Sequence, residues 1–389
     1  MAICGQDIVC LASQDFDDLW TRKQRWMTRL AEHNRIFWVN VQMHAVTYLR
    51  TLPNTWRRIF DGRPRRVHQR IWVYTPPVTI PFFQMSRTIC RIHNIILNRF
   101  LRYHLSRLGF DRNILWLYTP YNAYQIGRLF DYRRVYECVD DFCAARGLIN
   151  ADVVNRLEAE LLKKADLVIV TADRLAEKLK KRSARLFVSH NAADFEHFNR
   201  ASEQSLPIGE ELREIKGPVI GFLGSISYWL DLELIARLAQ ARPQWTFVLV
   251  GPVRTDVGCL RRLPNVRIIG PRPYEKLPQY LKRFDVCLNP YKNDGVAQSA
   301  SPLKLYEYLA SGKPVVSSDM PEARRFSPVV SLARTAGEFE TKIENALDEN
   351  NTGRREQQYA IARENDWNSR FAQLESRVET ILELSEIKR

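Results

Sequence analysis

Long apolar runs are missing from this sequence. No stretch reaches the roughly 18 apolar residues that a membrane-spanning helix needs, so a soluble or peripheral chain is expected. A secretory leader is missing too: "MAICGQDIVCLASQDFDD" has no basic start and meets acids early, so export is not expected and the compartment is taken as the cytoplasm. The seven cysteines, Cys4, Cys10, Cys90, Cys138, Cys143, Cys259 and Cys287, contain no C-x-x-C pair. That excludes a zinc ribbon or disulfide scaffold and fits buried reduced thiols. The seven histidines show no H-E-x-x-H or other ligand spacing, so no bound metal or other cofactor is expected. Lysine is absent from Thr47 to Arg107, where 12 arginines stand against one acid, Asp61. Most of the net charge of +14 therefore sits in one region. No RNP, zinc-finger or helix-turn-helix pattern accompanies it, which argues against nucleic acid. Solenoid repeats and low-complexity tracts are also absent.

What is present is a regular alternation of short apolar runs and helical periodicity. A chain of 389 residues with 45% apolar content predicts two domains. In the second half, "PVIGFLGS" (218–225), "WTFVLVGP" (245–252), "NVRIIG", "DVCLNP" and "KPVVSS" read as buried strands. The helices "LELIARLAQA", "EKLPQYLKRF" and "PLKLYEYLAS" separate them. The first half repeats the logic through "IVCLAS", "RIFWVNV", "NILWLYT", "RVYECVD", "DLVIVT" and "RLFVSHN". Continuous apolar strands between helices predict parallel sheets covered on both faces. The polar stretch from Asn199 to Gly217 reads as the joint, and "WNSRFAQLESRVETILELSEI" as a long terminal helix. The expectation is α/β, with domains at 1–205 and 214–365 and a terminal helix at 366–389. Ligands of such sheets bind at the carboxyl ends of the strands.

The segment "SPLKLYEYLASGKPVVSSDMPE" (301–322) carries the sharpest signal. Ser301 and Pro302 suit a helix start, and Gly312 suits its left-handed end. Exposed amides with Lys304 one turn in make an anion site, and Glu307 at i+3 on the same face can accept from a diol. Phosphate at the mouth with ribose one turn down fits a nucleotide diphosphate. The plain alternative is a surface ion pair worth ~0.2–0.5 kcal/mol. Ser301 and Lys304 also spell S-x-x-K, but the companion motifs of serine acylation are missing.

The stretch "YLKRFDVCLNPYKNDGVAQSASPLKLYEYLASGKPVVSSDMPE", with "GFLGSISYWLD", "LVGP", "HNAADFEHF" and "WNSRF", resembles the GT-B glycosyltransferases. The nearest likeness is to group 1 bacterial exopolysaccharide enzymes of the xanthan glucuronosyltransferase type. The resemblance implies two Rossmann-like parallel-sheet domains facing a central cleft, acceptor in the first and nucleotide-sugar, UDP-linked, in the second. It implies that Lys304 meets the donor diphosphate and Glu307 the ribose. Gly224, Ser225 and Ile226 would pass backbone close to the donor, and Tyr291, Ser301 and Leu303 would line the same pocket. The terminal helix would cross back to the first domain. Many retaining members carry a second glutamate eight residues earlier, where this chain has Ser299. That departure leans the reading toward inversion without fixing it.

An inverting transfer needs a base on the acceptor hydroxyl. Asp140 and Asp141 close a first-domain strand, and the family uses a first-domain aspartate in this role; which of the two serves stays open. Asp15, Asp17 and Asp18 are read as caps of the following helix, with Arg22, Lys23 and Arg25 as further cleft candidates. In "QMSRTICRIHNIILNRFLRYHLSR", Arg87, Arg91, Asn94, Asn98 and Arg102 fall on one side of a helical wheel, and Ile89, Ile92, Ile96, Phe100 and Tyr103 on the other. Such a helix either packs its apolar side on the sheet or lies in an anionic membrane surface, with Arg87, Arg91 and Arg102 toward headgroups or a lipid-linked acceptor. The expected activity is transfer of a sugar, hexosyl or glucuronosyl, from a nucleotide-sugar to a lipid-linked saccharide in cell-surface polysaccharide synthesis, peripheral on the inner face of the plasma membrane. The rivals are a nucleotide-sugar 2-epimerase of the same fold and a non-catalytic membrane-binding protein.

Overall fold

The computed structural model describes residues 3–41, 62–76, 80, 82–143, 149–183, 185–348 and 352–383. The arginine-rich stretch read from Thr47 therefore lies outside the described residues as far as position 61. The chain forms two compact units, Met1–Ser189 with Phe371–Arg389, and His190–Arg370.

The first unit is built on an eight-stranded sheet in the order β3-β4-β2-β1-β5-β6-β7-β8. Its strands are β1 (Asp7–Leu11), β2 (Arg35–Val39), β3 (Arg65–His68), β4 (Ile71–Tyr74), β5 (Asn113–Leu117), β6 (Asp131–Cys138), β7 (Leu167–Val170) and β8 (Leu186–Val188). All pairings are parallel except β3 with β4. β5 is buried at every position, as a strand covered on both faces must be. On one face Val9, Leu11, Leu115 and Leu117 pack against Leu97, Leu101 and Leu105 of the Arg87–Leu108 helix and Leu161 of the Ala151–Lys164 helix. Elsewhere in the unit, Trp26 of the Arg22–Leu30 helix meets Phe371 of the terminal Trp367–Glu383 helix edge-on at 4.3 Å. Arg133 Nε donates to Ile381 O at 2.8 Å, a second tie to that helix.

The second unit holds a wholly parallel six-stranded sheet, β11-β10-β9-β12-β13-β14. Its strands are β9 (Val219–Leu223), β10 (Thr246–Val250), β11 (Val266–Gly270), β12 (Val286–Asn289), β13 (Val315–Ser318) and β14 (Val330–Ala333).

Three local expectations are corrected here. Residues 190–205, assigned from sequence to the first domain, belong to the second unit, because Phe195, Phe198 and Ala201 bury in its core. The polar stretch to Gly217 is a pinned segment instead of a loose joint: Leu212 and Ile215 enter the same core, and Lys282 Nζ donates to the carbonyls of Glu203, Gln204 and Leu206 at 2.6–2.8 Å. The stretch "NPYKNDGVAQSA", read as a loop, contains a helical turn at Gly295–Ser299, where Asp294 Oδ1 accepts from the Ala297 amide at 3.3 Å.

Candidate active site

β9 and β12 are neighbours, and from them the connections run outward in opposite directions, to β10 and to β13. The carboxyl ends at such a reversal are where open parallel sheets take ligands. Gly224 follows β9 with φ +134, a region open in practice to glycine. A Cβ there would lie 3.1 Å from Lys304 Cε, and a Cβ on Gly251 would lie 2.0 Å from the Gly224 oxygen. Bare backbone at both positions lets two turns touch and lets Lys304 lie over the first.

Lys304 is the second residue of the Leu303–Ser311 helix, which ends as expected on Gly312 at φ +68. It is buried at 8% exposure. Its Nζ donates to Tyr291 Oη at 3.3 Å and stands 4.9 and 5.0 Å from the ring centres of Tyr291 and Phe222. Among the described residues no carboxylate is paired with it, so the surface ion pair with Glu307 is not what this lysine makes. A buried ammonium held by aromatic faces and one hydroxyl is costly in the absence of an anion. Glu307 lies one turn further along and is half-buried.

The helix start differs from expectation. Pro302, in extended conformation, is the N-cap, and no side chain caps the helix. Ser301 instead turns its carbonyl to Asn191 Nδ2 at 2.5 Å. Asn191 Oδ1 is buried without a hydrogen-bond partner among the described residues, so the helix mouth carries an unused acceptor, while the Ser301 hydroxyl is turned toward Tyr306 and Glu322. Asn191 and Phe222 escaped the sequence reading; the "HN" of "HNAADFEHF" was the available signal. Behind this mouth, buried Glu322 accepts from Tyr306 and from Arg325 (2.8 Å), with His190 Nδ1 at 3.8 Å. Burial pushes the Glu322 carboxyl up, against the pull of Arg325.

Gly224, Ser225 and Ile226 differ in what they can still offer. The Gly224 amide donates to Val250 O, and Ile226 donates to Pro252 O and accepts from Arg254 N, with its side chain fully buried. Ser225 is half-buried between them. Leu303 is half-buried at the first helical position. A cavity of about 330 Å³ is lined by Tyr291 together with Asp231, Ser318, Asp319 and Arg334. Asp319 there is already met by Arg324 at 2.5 Å and Arg334 at 2.7 Å, so this cavity offers a phosphate less unpaired charge than Lys304 does.

In the first unit the connections reverse between β1 and β5. Asp140 and Asp141 follow β6, next to β5, and the structure separates them. Asp141 Oδ1 accepts from Lys178 Nζ at 2.6 Å and from the Cys143 amide at 3.1 Å, so it fastens the turn. Asp140 is exposed. Desolvation raises its carboxyl pKa, Lys23 opposes that and Asp141 adds to it. Lys23 lies at the start of the Arg22–Leu30 helix, buried, with Nζ donating to Gln14 Oε1 at 3.1 Å and over the Tyr118 ring. Burial lowers the Lys23 pKa, and the charge of Asp140 is the largest opposing influence. Beneath them Glu137 is fully buried, accepting from Arg22, Trp26 Nε1 (3.2 Å) and Trp116 Nε1 (2.8 Å).

Asp15, Asp17 and Asp18 do not cap the Arg22–Leu30 helix: Gln24 does so by accepting from the Thr21 amide at 3.1 Å. The acids precede it by several residues and are turned to Val41 N, Arg65 and Leu19 N respectively. Arg87 forms an exposed ion pair with Glu160, and Arg91 and Arg102 are exposed. Of the two readings of the helical wheel, the one that packs the Ile92–Tyr103 side on the sheet is corrected. Asn94 is buried and Asn98 half-buried, bonded to the Pro120–Gln125 turn, while Ile92, Ile96, Phe100 and Tyr103 are exposed. No helix of the described residues is long and apolar enough to cross a membrane, and no cluster among them could hold a metal ion.

The family described as glycosyl transferases group 1 matches residues 217–348. The teichuronic acid biosynthesis glycosyltransferase TuaH of Bacillus subtilis (strain 168) is 31% identical over 288 residues, covering 68% of this chain and 71% of that protein. Among solved structures, sucrose-phosphate synthase from Thermosynechococcus elongatus superposes with a TM-score of 0.70 at 14% identity, over 97% of this chain and 100% of that one. A UDP-forming α,α-trehalose-phosphate synthase from Burkholderia vietnamiensis gives 0.71 at 14% identity over 99% and 100%. Anabaena HepE in complex with UDP gives 0.65 at 14% identity over 96% and 100%. At such identities the structural likeness speaks to the fold alone.

Proposed function

The chain belongs to the group 1 glycosyltransferases and has their GT-B fold, and on that premise we propose that it transfers a sugar from a UDP-sugar to a lipid-linked saccharide in the synthesis of a cell-surface polysaccharide. The observation that carries the donor half is Lys304, a buried ammonium with no carboxylate beside it, lying over the bare backbone of Gly224 at a helix mouth. A diphosphate supplies the missing charge there, and Asn191 Oδ1, which can only accept, is left for a hydroxyl of the donor. Glu307, one turn on, accepts from the ribose hydroxyls, and Ser225, Leu303 and Tyr291 line the pocket. No metal is required in this reading, because Lys304 and the helix amides face the leaving group.

On the acceptor side Asp140 serves as the base, since Asp141 is held by Lys178 and the Cys143 amide. Direct attack by the activated hydroxyl on the sugar's anomeric carbon, with UDP leaving toward Lys304, inverts the configuration. TuaH is named for teichuronic acid, a cell-surface polymer, and HepE was crystallised with UDP. Both support the substrate classes. The enzyme works at the inner face of the membrane, where nucleotide-sugars and lipid-linked saccharides meet.

The deciding experiment offers UDP-, GDP- and ADP-sugars to the protein with and without a membrane extract and follows donor consumption and product anomer. Extract-dependent consumption of a UDP-sugar with an inverted product is expected. Conversion of the donor to its C2 epimer, independent of extract, would make the protein an epimerase instead. Lys304→Ala is expected to weaken UDP binding by calorimetry ~100-fold, about 2.7 kcal/mol.

A further inference from the structure

The Arg87–Leu108 helix turns its apolar residues outward. Ile92, Ile95 and Ile96 are 47, 49 and 47% exposed, Phe100 41% and Tyr103 55%. Phe82 and Met85, just before the helix, are exposed as well. Most of the exposed large apolar residues among the described part of the chain fall in this one stretch. The rotation is enforced from inside. Asn94 Nδ2 donates to Tyr121 O at 2.9 Å, Gln125 Nε2 donates to Asn94 Oδ1 at 3.0 Å, and Asn98 Nδ2 donates to Gln125 Oε1 at 3.1 Å. These buried amides would each lose their partners if the helix rolled to hide its isoleucines.

The same outer face carries Arg91, Arg99, Arg102 and Arg107, all exposed, and the helix contains no acid. A contiguous apolar stripe bordered by arginine fits one environment well: the headgroup boundary of an anionic bilayer, apolar residues in the acyl edge and guanidinium groups on phosphate. The start of this helix is joined to the catalytic turn. Cys90 packs with Phe83, Tyr121, Val153, Val154 and Leu157, and Phe142 and Cys143, which follow Asp140 and Asp141, pack on that same cluster.

Taking the acceptor side of the proposed function as given, we infer that the Ile92–Tyr103 face inserts in an anionic membrane interface and thereby holds the Asp140 turn at the bilayer surface. Orientation then comes from the lipid: a saccharide on a lipid anchor reaches Asp140 by lateral diffusion, with no need for the enzyme to extract its anchor.

The test is flotation of the full chain with vesicles of phosphatidylglycerol and phosphatidylcholine in equal parts, and with phosphatidylcholine alone. The protein is expected to float with the first and much less with the second. I92D/I96D, two changes at exposed positions, is expected to reduce partitioning at least ~10-fold, and Arg99→Glu about fivefold or more. Both variants should keep wild-type melting temperature and UDP affinity. Flotation of I92D/I96D and Arg99→Glu equal to wild type overturns the inference. So does a wild-type dimer in size-exclusion chromatography that I92D/I96D dissolves while vesicles go unbound, because the face would then join two copies. Failure of UDP binding in the wild type counts against the donor reading alone, since flotation does not depend on it.

Discussion

In the second unit Lys304 is buried against Tyr291 and Phe222 with no carboxylate beside it, whereas the cations around the Asp140 edge of the first unit are met internally: Arg22 with Glu137, Lys178 with Asp141, and Lys23 with Gln14 and the field of Asp140. The difference follows from what each edge must do. A site that binds a highly charged anion gains most when its own cation has no competing partner. A site that must present one carboxylate at a chosen ionisation gains from neighbours that are already fixed. Burial of charge thus has two uses in one chain, attraction in the second unit and tuning in the first.

Breaking the tuned edge gives the largest expected effect. Asp140→Asn should lower kcat ~10²–10⁴-fold in the transfer assay, while Asp141→Asn should spare chemistry and lower the melting temperature, reflecting about 1–3 kcal/mol from the lost Lys178 and amide contacts. Equal losses of kcat in both would erase the distinction drawn between them. Next in size is Lys304→Ala, whose loss of donor affinity should leave the fold intact; a variant that binds UDP as well as wild type would show the unpaired lysine to be idle. Gly224→Ala should follow with a loss of about tenfold in donor affinity, given a Cβ forced to φ +134 against Lys304 and ~1–3 kcal/mol of backbone strain.

A pH profile sharpens the comparison further. Desolvation raises Asp140, and as a base it must be ionised, so the acid limb of kcat/KM, which reports the free enzyme, should lie above the ordinary carboxylate range. Lys23 lowers that value, so Lys23→Met should move the limb to higher pH. An unmoved limb would detach Lys23 from catalysis. The smallest effect is expected at Glu211. Burial acts to raise its carboxyl, but Arg272, the backbone and Tyr280 together hold it at about 2. Stability from this tie is full above the unfolded value near 4.5 and is lost as pH falls toward about 2. Glu211→Gln should therefore lower stability slightly at neutral pH, by about 1 kcal/mol or less for so exposed a pair, and leave it unchanged near pH 2, making the acid limb of the stability curve shallower.

The parallel strands and the Leu303–Ser311 helix were legible because buried strands and helix stops are written locally, in apolar runs and in Gly312. The rotation of the Arg87–Leu108 helix was not. A helical wheel separates polar from apolar but assumes that polar means outside, and Asn94 is buried because Tyr121 O and Gln125, neither on this helix, satisfy it. Ser301 failed as a cap for a similar reason: Asn191, far away in sequence, claims its carbonyl. Adjacent Asp140 and Asp141 look equivalent as letters, and the charged partner that distinguishes them, Lys178, is far away in sequence. In each case the deciding partner is distant in sequence, so local pattern carries no trace of it.

The first unit is not one continuous stretch of chain. Trp26 receives Phe371, and Arg133 receives the carbonyl of Ile381, so the first unit is closed by residues that follow the whole of the second. The first unit's core therefore lacks two of its contacts until residues made after the whole of the second unit are in place, so a chain cut between the two units would leave Trp26 and Arg133 without their partners.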